Sequence, residues 1–556
     1  MINNGRILFA KTGEALSEGI YLDPKMANRH GFICGATGTG KTVTLKVLAE
    51  SFSELGVPVF LSDVKGDLGG MIMQGDDTAD MRSRIERFHI GDSFSFKKFP
   101  TAFFDIFGQN GMPLRTTVSE MGPQLMAQCL ELNQTQTAVL SVVYKIADDL
   151  GLLLLDTKDL KAMLSYVVEN SAELELEYGH IAKQTVSTIV RAIVAIEAEG
   201  GEQFFGEPAI DINDFFSVDP DGRGVINILD AQTLINKPKL YSAFMLYLLS
   251  ELFEVLPEVG DPEKPKMVFF FDEAHLLFKN ASSALMEKIA QVIKLIRSKG
   301  VGVYFVTQSP ADIPDEVTAQ LSNRIEHALR AYTPAELKNL KAAAEAFREN
   351  PDFDTKELLT QLGTGEAIVS MLETGGVPGI AQHAYILPPE SLMGPVTDAA
   401  RKDAVLRNKL VDKYSEMIDR DSCYEFMMRR KQQLDTAAEE AKKQAELEKA
   451  EKAENAVRQK EQEALEKAQA KEAERLAREK QKLEEKAAKE AEKKAQQESK
   501  RMAKAAKSVL STTAGSVGRQ VGYAVGGSVG GKFGKTLGGN IGASLGRNIL
   551  GTLFKG

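Results

Sequence analysis

The stretch HGFICGATGTGKT, residues 30–42, decides the fold of this 556-residue chain. It begins as a short apolar run and breaks into a glycine-rich loop that ends in Lys-Thr. The loop matches the pattern G-x-x-x-x-G-K-[ST], whose backbone N–H groups and following helix N-terminus hold phosphate oxygens. The next residues, VTLKVLAESFSELG, have the apolar spacing of an amphipathic helix, so the loop lies between a strand and a helix, as the pattern requires. This context argues against a chance match to a short pattern.

Eight residues of this loop form the predicted nucleotide site. They are Gly35, Ala36, Thr37, Gly38, Thr39, Gly40, Lys41 and Thr42. Lys41 is expected to reach the β- and γ-phosphates and to take part in catalysis, and the Thr42 hydroxyl is expected to ligate Mg²⁺. The ligands that the pattern predicts are therefore ATP and Mg²⁺.

Two further motifs end apolar runs with polar residues. In KMVFFFDEAH, residues 266–275, Asp272 would hold Mg²⁺ through its water shell, and Glu273 would act as general base on the attacking water. In VYFVTQSP, residues 303–310, Gln308 lies where a γ-phosphate sensor is expected. Ligands bind at the carboxyl edge of open α/β sheets, which favours these roles. The alternatives are an acidic helix N-terminus for the first motif and an ordinary polar strand end for the second.

The remaining apolar runs predict the fold class. The runs VPVFLSDV (57–64), GVINIL (224–229), VGVYFVTQ (301–308) and GEAIVSML (365–372) are nearly continuous and rich in β-branched and aromatic residues. Strands buried on both faces have this composition, and helical patterns lie between them. We therefore predict an α/β fold with a parallel sheet, and a helical insertion over about residues 108–201.

The C-terminal part divides into two segments of distinct composition. Residues 432–508 are almost entirely Ala, Glu, Lys, Gln and Arg, which predicts one long charged helix, and the sparse apolar residues favour a solvated single helix over a coiled coil. Residues 510–556 are glycine-rich and basic, with eight consecutive tetrads that each begin with one apolar residue followed by glycine. Such a tail is either disordered or a helix that forms on self-association or at an anionic membrane, where it would contact protein or lipid.

The amino-acid composition indicates the cellular compartment of the protein and an interaction role for its tail. The chain is 43% hydrophobic, with a net charge of −10 and only three cysteines, none in a metal-binding spacing, which fits a reducing cytoplasm. No signal peptide and no ordinary membrane-spanning run are expected, so we predict a cytoplasmic protein that is either free or peripheral to a membrane. From residue 500 onward there are nine Lys or Arg and no Asp or Glu. An acidic body with a basic tail predicts an interaction role for the tail.

Taken in order, the motifs NRHGFICGATGTGKT, PVFLSDVKGDLGG, FFFDEAHLLF, VTQSPADIPDEVTAQLSNRIEHALRAYTP and GTGEAIVSML resemble the HerA–FtsK superfamily of hexameric motor ATPases. The nearest pattern is that of bacterial HerA-like ATPases, the YjgR-like proteins. The resemblance implies a RecA-like ATPase core over residues 31–430, assembly as a homo-hexamer, and movement of DNA through the ring. It also places Arg324 as an arginine finger, with Arg330 as the reserve candidate; a surface ion pair is the alternative for either.

Two parts of the resemblance stay open. Asp63, Lys65 and Asp67 in SDVKGD either line the nucleotide site or only form a turn. HerA proteins carry a small β-barrel before the ATPase core, whereas residues 1–30 here suffice only for a short strand pair. Three functions therefore remain: an ATP-driven motor on nucleic acid, an ATPase that acts on protein or membrane partners through its tail, and a nucleotide-dependent scaffold. The Asp-Glu pair argues against the scaffold.

Overall fold

The computed structural model describes residues 1–13, 15–278 and 283–491. Within them the strands are β1 (Ile2–Asn3), β2 (Arg6–Thr12), β3 (Glu18–Leu22), β4 (Gly31–Cys34), β5 (Val59–Asp63), β6 (Thr101–Asp105), β7 (Met112–Pro113), β8 (Ile226–Asp230), β9 (Met267–Phe271), β10 (Val301–Thr307), β11 (Asn323–His327), β12 (Glu366–Ser370) and β13 (Gln382–Ile386). The α-helices are α1 (Lys41–Glu54), α2 (Ala79–Arg87), α3 (Val118–Cys129), α4 (Gln134–Asp149), α5 (Thr157–Glu169), α6 (Ser171–Tyr178), α7 (Lys183–Ala198), α8 (Gly201–Phe204), α9 (Pro238–Val255), α10 (His275–Phe278), α11 (Ser283–Ile296), α12 (Asp315–Thr318), α13 (Pro334–Glu345), α14 (Thr355–Gln361), α15 (Asp398–Leu406), α16 (Val411–Tyr414) and α17 (Cys423–Ala491).

The strands form a single sheet whose order is β1-β2-β13-β12-β11-β4-β10-β9-β5-β8-β6-β7, with β3 paired to β2. From β11 to β7 all neighbouring strands are parallel. Strand β10 lies between β4, which precedes the phosphate loop, and β9, which precedes the Asp-Glu pair. The carboxyl ends of these strands therefore meet at one edge of the sheet, and the predicted α/β fold class is confirmed.

Both faces of the parallel sheet are covered, which explains why its strands are apolar without alternation. All five residues of β9 are buried; Phe270 packs in the core on the face that α1 covers, whereas Phe269 and Phe271 pack in the core on the opposite face with α9 and α11. Successive strand residues point to opposite faces, so a strand covered on both sides must be apolar throughout.

The chain between β6 and β8 is mostly helical. Helices α3 to α8 lie there, together with the two-residue strand β7. Local sequence signals set their ends: Asn133 and Asp156 each form a capping box at the start of α4 and α5, and α3 is kinked at Gly122–Pro123. The stretch predicted as a helical insertion over residues 108–201 therefore contains one short strand besides its helices.

The N-terminal strand pair expected over residues 1–30 is instead a group of three strands. Strand β2 pairs antiparallel with β1, β3 and β13, so these residues extend the main sheet. The third strand arises because Ile20 and Leu22 bury their side chains in the core that α1 covers.

The C-terminal helix α17 begins at Cys423, before the expected start at residue 432. Its first turn packs on α5, where the Asp159 carboxylate accepts hydrogen bonds from the Ser422 hydroxyl (2.6 Å) and the Tyr424 N–H (2.7 Å). This contact belongs to a compact unit, Met1–Ala441, and a second unit is Lys442–Gly556. In the second unit the described side chains are exposed, and the choice between a solvated single helix and a coiled coil stays a prediction.

Residues 492–556 lie outside the described part of the chain, so the predicted end of the charged helix at residue 508 and the glycine-rich tail at 510–556 stay predictions. Among the described residues, no helix combines the length and the hydropathy needed to span a bilayer.

Candidate active site

The loop between β4 and α1 has the geometry of a phosphate cradle. Gly35 and Gly40 adopt φ values of +152° and +113°, which L side chains rarely adopt. A Cβ at Gly35 would lie 2.6 Å from the Cβ of His327, and one at Gly40 would lie 3.2 Å from the N of Gly365. Both positions therefore require glycine, for conformation and for space.

The side chain of Lys41 lies within the phosphate loop. Its Nζ donates hydrogen bonds to the carbonyl oxygens of Gly35 (2.6 Å) and Ala36 (3.1 Å), and its side chain is buried. Burial and, next, the Lys65 ammonium lower the pKa of Lys41. Among the residues that the structure describes, the ammonium is hydrogen-bonded to loop carbonyls alone, which suits it to a bound polyanion.

His327 supports the loop from behind, and sequence reasoning missed it. Its Nε2 lies 2.8 Å from the Thr44 hydroxyl in the first turn of α1, and its Nδ1 lies 2.8 Å from the Glu366 carbonyl oxygen on β12. Burial lowers the pKa of His327 to about 4, so the ring is neutral at physiological pH. The ring joins β11, α1 and β12, and no apolar run marks it in the sequence, because it ends the largely polar strand NRIEH.

Asp272 and Glu273 follow β9 at the same sheet edge. Among the described residues the Oδ2 of Asp272 has no hydrogen-bond partner, although the side chain is 3% exposed. Burial raises the pKa of Asp272 to about 7, and the Glu273 carboxylate adds to this effect while Lys65 opposes it. A buried carboxylate oxygen without a partner fits a hydrated Mg²⁺, which prefers oxygen ligands.

Glu273 is held by contacts from two neighbouring strand ends. Its Oε1 lies 2.8 Å from the Lys65 Nζ, and the Gln308 Nε2 donates to both carboxylate oxygens at 3.2 Å. The Thr37 hydroxyl of the phosphate loop in turn donates to the Gln308 Oε1 at 3.1 Å. Burial opposes ionisation of Glu273, but Lys65 and Gln308 outweigh it, so the pKa of Glu273 is lowered.

The backbone of Glu273 has a φ of +48°, which is uncommon outside glycine. Such strain persists only where surrounding contacts fix it, and it clusters at functional sites.

The SDVKGD loop after β5 combines the two expected roles, because Asp63 forms a turn whereas Lys65 and Asp67 lie at the nucleotide site. The Asp63 carboxylate accepts hydrogen bonds from the N–H groups of Gly66 (2.7 Å) and Leu68 (3.0 Å) and so holds the turn. Lys65 reaches Glu273, and Asp67 lines the cleft in front of the phosphate loop.

A cleft of about 360 Å³ lies in front of the loop. Its lining residues are Gly38, Gly40, Lys41, Thr42, Val43, Lys46, Lys65, Asp67, Thr364, Met393 and Gly394. The Thr364 segment follows α14 and closes on the loop, because the Gly365 N–H donates to the Thr39 carbonyl oxygen at 2.9 Å. The cleft holds Thr42, the expected metal ligand, beside three lysines. No cluster of three or more His, Cys, Asp or Glu suited to a metal occurs in the described part, so a metal here would rely on phosphate, Thr42, Asp272 and water.

The two candidate arginine fingers lie outside this cleft. Arg324 is on β11 with 17% of its side chain exposed, and its Nη1 is 3.9 Å from the Glu326 Oε1. Arg330 is exposed beyond the end of that strand and donates to the Thr360 carbonyl oxygen at 2.7 Å. Neither contacts the nucleotide loop of its own chain, so a finger role for either requires a second subunit and stays a prediction.

The sheet order, the glycine cradle with its buried lysine, and the Asp-Glu pair two strands away at the same sheet edge define a P-loop nucleoside triphosphatase of the RecA-like class. Within that class, the chain belongs to the family described as Helicase HerA-like C-terminal, whose model matches residues 10–534.

Two curated relatives carry helicase names. The chain is 30% identical over 151 residues to a "Probable helicase MJECL08" from Methanocaldococcus jannaschii, a match that covers 26% of this chain and 28% of the relative. It is 22% identical over 354 residues to the "DNA double-strand break repair helicase HerA" from Saccharolobus solfataricus, covering 61% of each chain. The chain thus spans less than two thirds of the length of either relative. Among solved structures, the plasmid coupling protein TrwB in complex with ADP and Mg²⁺ is similar, with a TM-score of 0.48, 14% identity, and coverage of 70% of this chain and 91% of that one.

Proposed function

We propose that this protein is a Mg²⁺-dependent ATPase that works as a HerA-like ring motor and moves or unwinds DNA. The observation that carries the ATPase is Glu273, whose backbone has a φ of +48° and whose carboxylate, with a lowered pKa, is held between Lys65 and Gln308 beside the phosphate loop. A nucleotide-binding scaffold without turnover has no need of a carboxylate held in this way.

Each residue of the site has a proposed part in hydrolysis. The loop N–H groups and Lys41 bind the phosphates, and Gln308, the predicted γ-phosphate sensor, also orients Glu273 from the end of β10. Glu273 orients the attacking water and accepts its proton, for which an ionised carboxylate is required. Thr42 and Asp272 are the residues that would hold Mg²⁺, which neutralises charge on the phosphates when bound.

Assembly as a homo-hexameric ring is part of the proposal, and the resemblance to hexameric HerA–FtsK ATPases and the position of the arginines support it. A finger supplied from a neighbouring subunit stabilises transition-state charge in many P-loop ATPases. Arg324 is the proposed finger, with Arg330 in reserve, because both lie away from the cleft of their own chain.

DNA is the proposed substrate of the motor, since both curated relatives are named as helicases and one is named for DNA double-strand break repair. The test measures ATP turnover with and without double-stranded DNA of several lengths, with Lys41→Ala and Glu273→Gln as inactive controls. Stimulation that grows with DNA length supports translocation. Turnover that DNA leaves unchanged at every length contradicts it, and turnover that the controls retain contradicts the site.

The alternative function, action on protein or membrane partners, depends on residues 510–556, which lie outside the described residues. Cytoplasmic location, free or membrane-peripheral, depends on the same tail. Fractionation of the full chain and of a chain that ends at residue 509 tests both.

A further inference from the structure

Lys65 is a second lysine in the phosphate cleft, and the proposed mechanism does not use its charge on the nucleotide. Its side chain is 41% exposed, it lines the cleft with Gly38, Lys41 and Thr42, and its Nζ makes a 2.8 Å ion pair with the Glu273 carboxylate. Lys41, by contrast, is buried and bonded to loop carbonyls.

The backbone around Lys65 is fixed, whereas its side chain lies between Glu273 and the phosphate cleft. Asp63 holds the turn by accepting hydrogen bonds from Gly66 and Leu68, and a Cβ at Gly66, whose φ is +77°, would lie 2.6 Å from the Gln232 side chain. Parallel pairing of β5 with β9 sets this turn beside Glu273. The ammonium therefore starts from a defined place and has a flexible four-carbon stem to move on.

A bound triphosphate changes the balance of charge around this ammonium. Without nucleotide, Lys65 faces Glu273, Asp272 and Asp67, and Lys41 repels it. The terminal phosphate must lie beside Glu273 if that residue is the base, so it also lies beside the Lys65 Nζ. Phosphate carries more charge and more acceptor oxygens than one carboxylate, so it competes for the ammonium.

We propose that Lys65 is a γ-phosphate sensor in addition to the predicted sensor Gln308: its ammonium holds Glu273 in the nucleotide-free protein and transfers to the terminal phosphate when ATP binds. Transfer releases the Oε1 of Glu273 from its ion pair, so that this oxygen can accept a hydrogen bond from the attacking water. The Gln308 Nε2, 3.2 Å from both carboxylate oxygens, and the His275 Nδ1, 3.4 Å from Oε2, keep the carboxylate in place. The base is then available only when a triphosphate is present. This inference rests on the proposed ATPase function.

The first test compares affinities for Mg²⁺ with a non-hydrolysable ATP analogue and for ADP, by calorimetry on the full chain. Lys65→Met should weaken binding of the analogue about 10- to 100-fold, the usual worth of a hydrogen bond to a charged group, and change ADP binding less than about threefold. Lys65→Arg should keep part of the preference for the ATP analogue over ADP. The matched control is Lys25→Met, which removes an exposed lysine that also pairs with a glutamate (Glu263, 2.7 Å) but precedes β4 at the opposite edge of the sheet.

The second test is a double-mutant cycle with Glu273→Gln. Removing the carboxylate frees Lys65 in advance, so Glu273→Gln should bind the analogue several-fold more tightly than wild type, and Lys65→Met should abolish that gain. If the double variant keeps the gain in affinity for the analogue, the gain reflects the lost charge of Glu273 alone and the proposal is overturned. The proposal is also overturned if Lys65→Met weakens binding of the analogue and of ADP equally. Wild-type protein that binds the analogue without hydrolysing ATP contradicts the proposed function, whatever the Lys65 result.

Discussion

Replacing Glu326 by glutamine should change how the stability of the protein depends on pH. Glu326 lies on β11 beside Cys34 of β4, is fully buried, and has no hydrogen-bond partner for either carboxylate oxygen among the described residues. The Arg324 guanidinium, at 3.9 Å, only partly offsets the loss of water. Burial therefore raises the pKa of Glu326 to about 8, from an ordinary value of 4.5.

The direction and size of the change in the free energy of unfolding follow from proton linkage. The folded protein keeps the Glu326 proton to higher pH than the unfolded chain does, so folding loses stability as pH rises from about 4.5 to about 8. The slope is about 1.4 kcal/mol per pH unit for one group, which makes about 3–4 kcal/mol between pH 5 and pH 8. Glutamine stays neutral in both states, so Glu326→Gln should gain this amount over wild type as pH rises.

Urea unfolding at several pH values, followed by far-ultraviolet circular dichroism because the chain has no tryptophan, measures the difference. The matched control is Glu316→Gln, which neutralises an exposed glutamate. The variant should be close to wild type at pH 5 and clearly more stable at pH 8, whereas the control should follow wild type throughout. A stability difference that stays constant from pH 5 to pH 8 refutes the reasoning.

Three further predictions test the loop, the sheet edge and the assembly. Gly35→Ala should abolish nucleotide binding in a fluorescent-nucleotide titration without unfolding the protein, because its Cβ would lie 2.6 Å from the histidine behind the loop. Asp230→Ala should lower stability to urea by about 3–5 kcal/mol, since it leaves the buried Arg401 guanidinium without the carboxylate 2.7 Å away, and adding Arg401→Met should recover part of the loss. Arg324→Ala subunits mixed with Glu273→Gln subunits should regain some ATP turnover if the arginine acts across an interface, and no regain places the finger elsewhere.

The sequence predicts those site residues that stand next to a buried apolar run. Lys41, Asp272 and Gln308 each follow a strand, and a parallel sheet brings such positions to one edge whatever the exact order of the strands. The contact between Lys65 and Glu273 depends on β5 being the neighbour of β9, which no local pattern reveals. Strand β6, TAFFD at 101–105, was not predicted either, because five residues after a proline carry too weak a periodicity.

Strand β11 carries both the residue that supports the phosphate loop and the candidate arginine finger. Alternate residues of a strand face opposite sides of the sheet, so the two lie on opposite faces of β11. His327 points toward α1 and supports the phosphate loop, whereas Arg324 and Glu326 lie on the other face. A variant that displaces β11 therefore alters nucleotide binding and the candidate finger together. Arg324→Ala is informative only if its affinity for ADP equals that of wild type, since that equality shows that His327 and the loop have not moved.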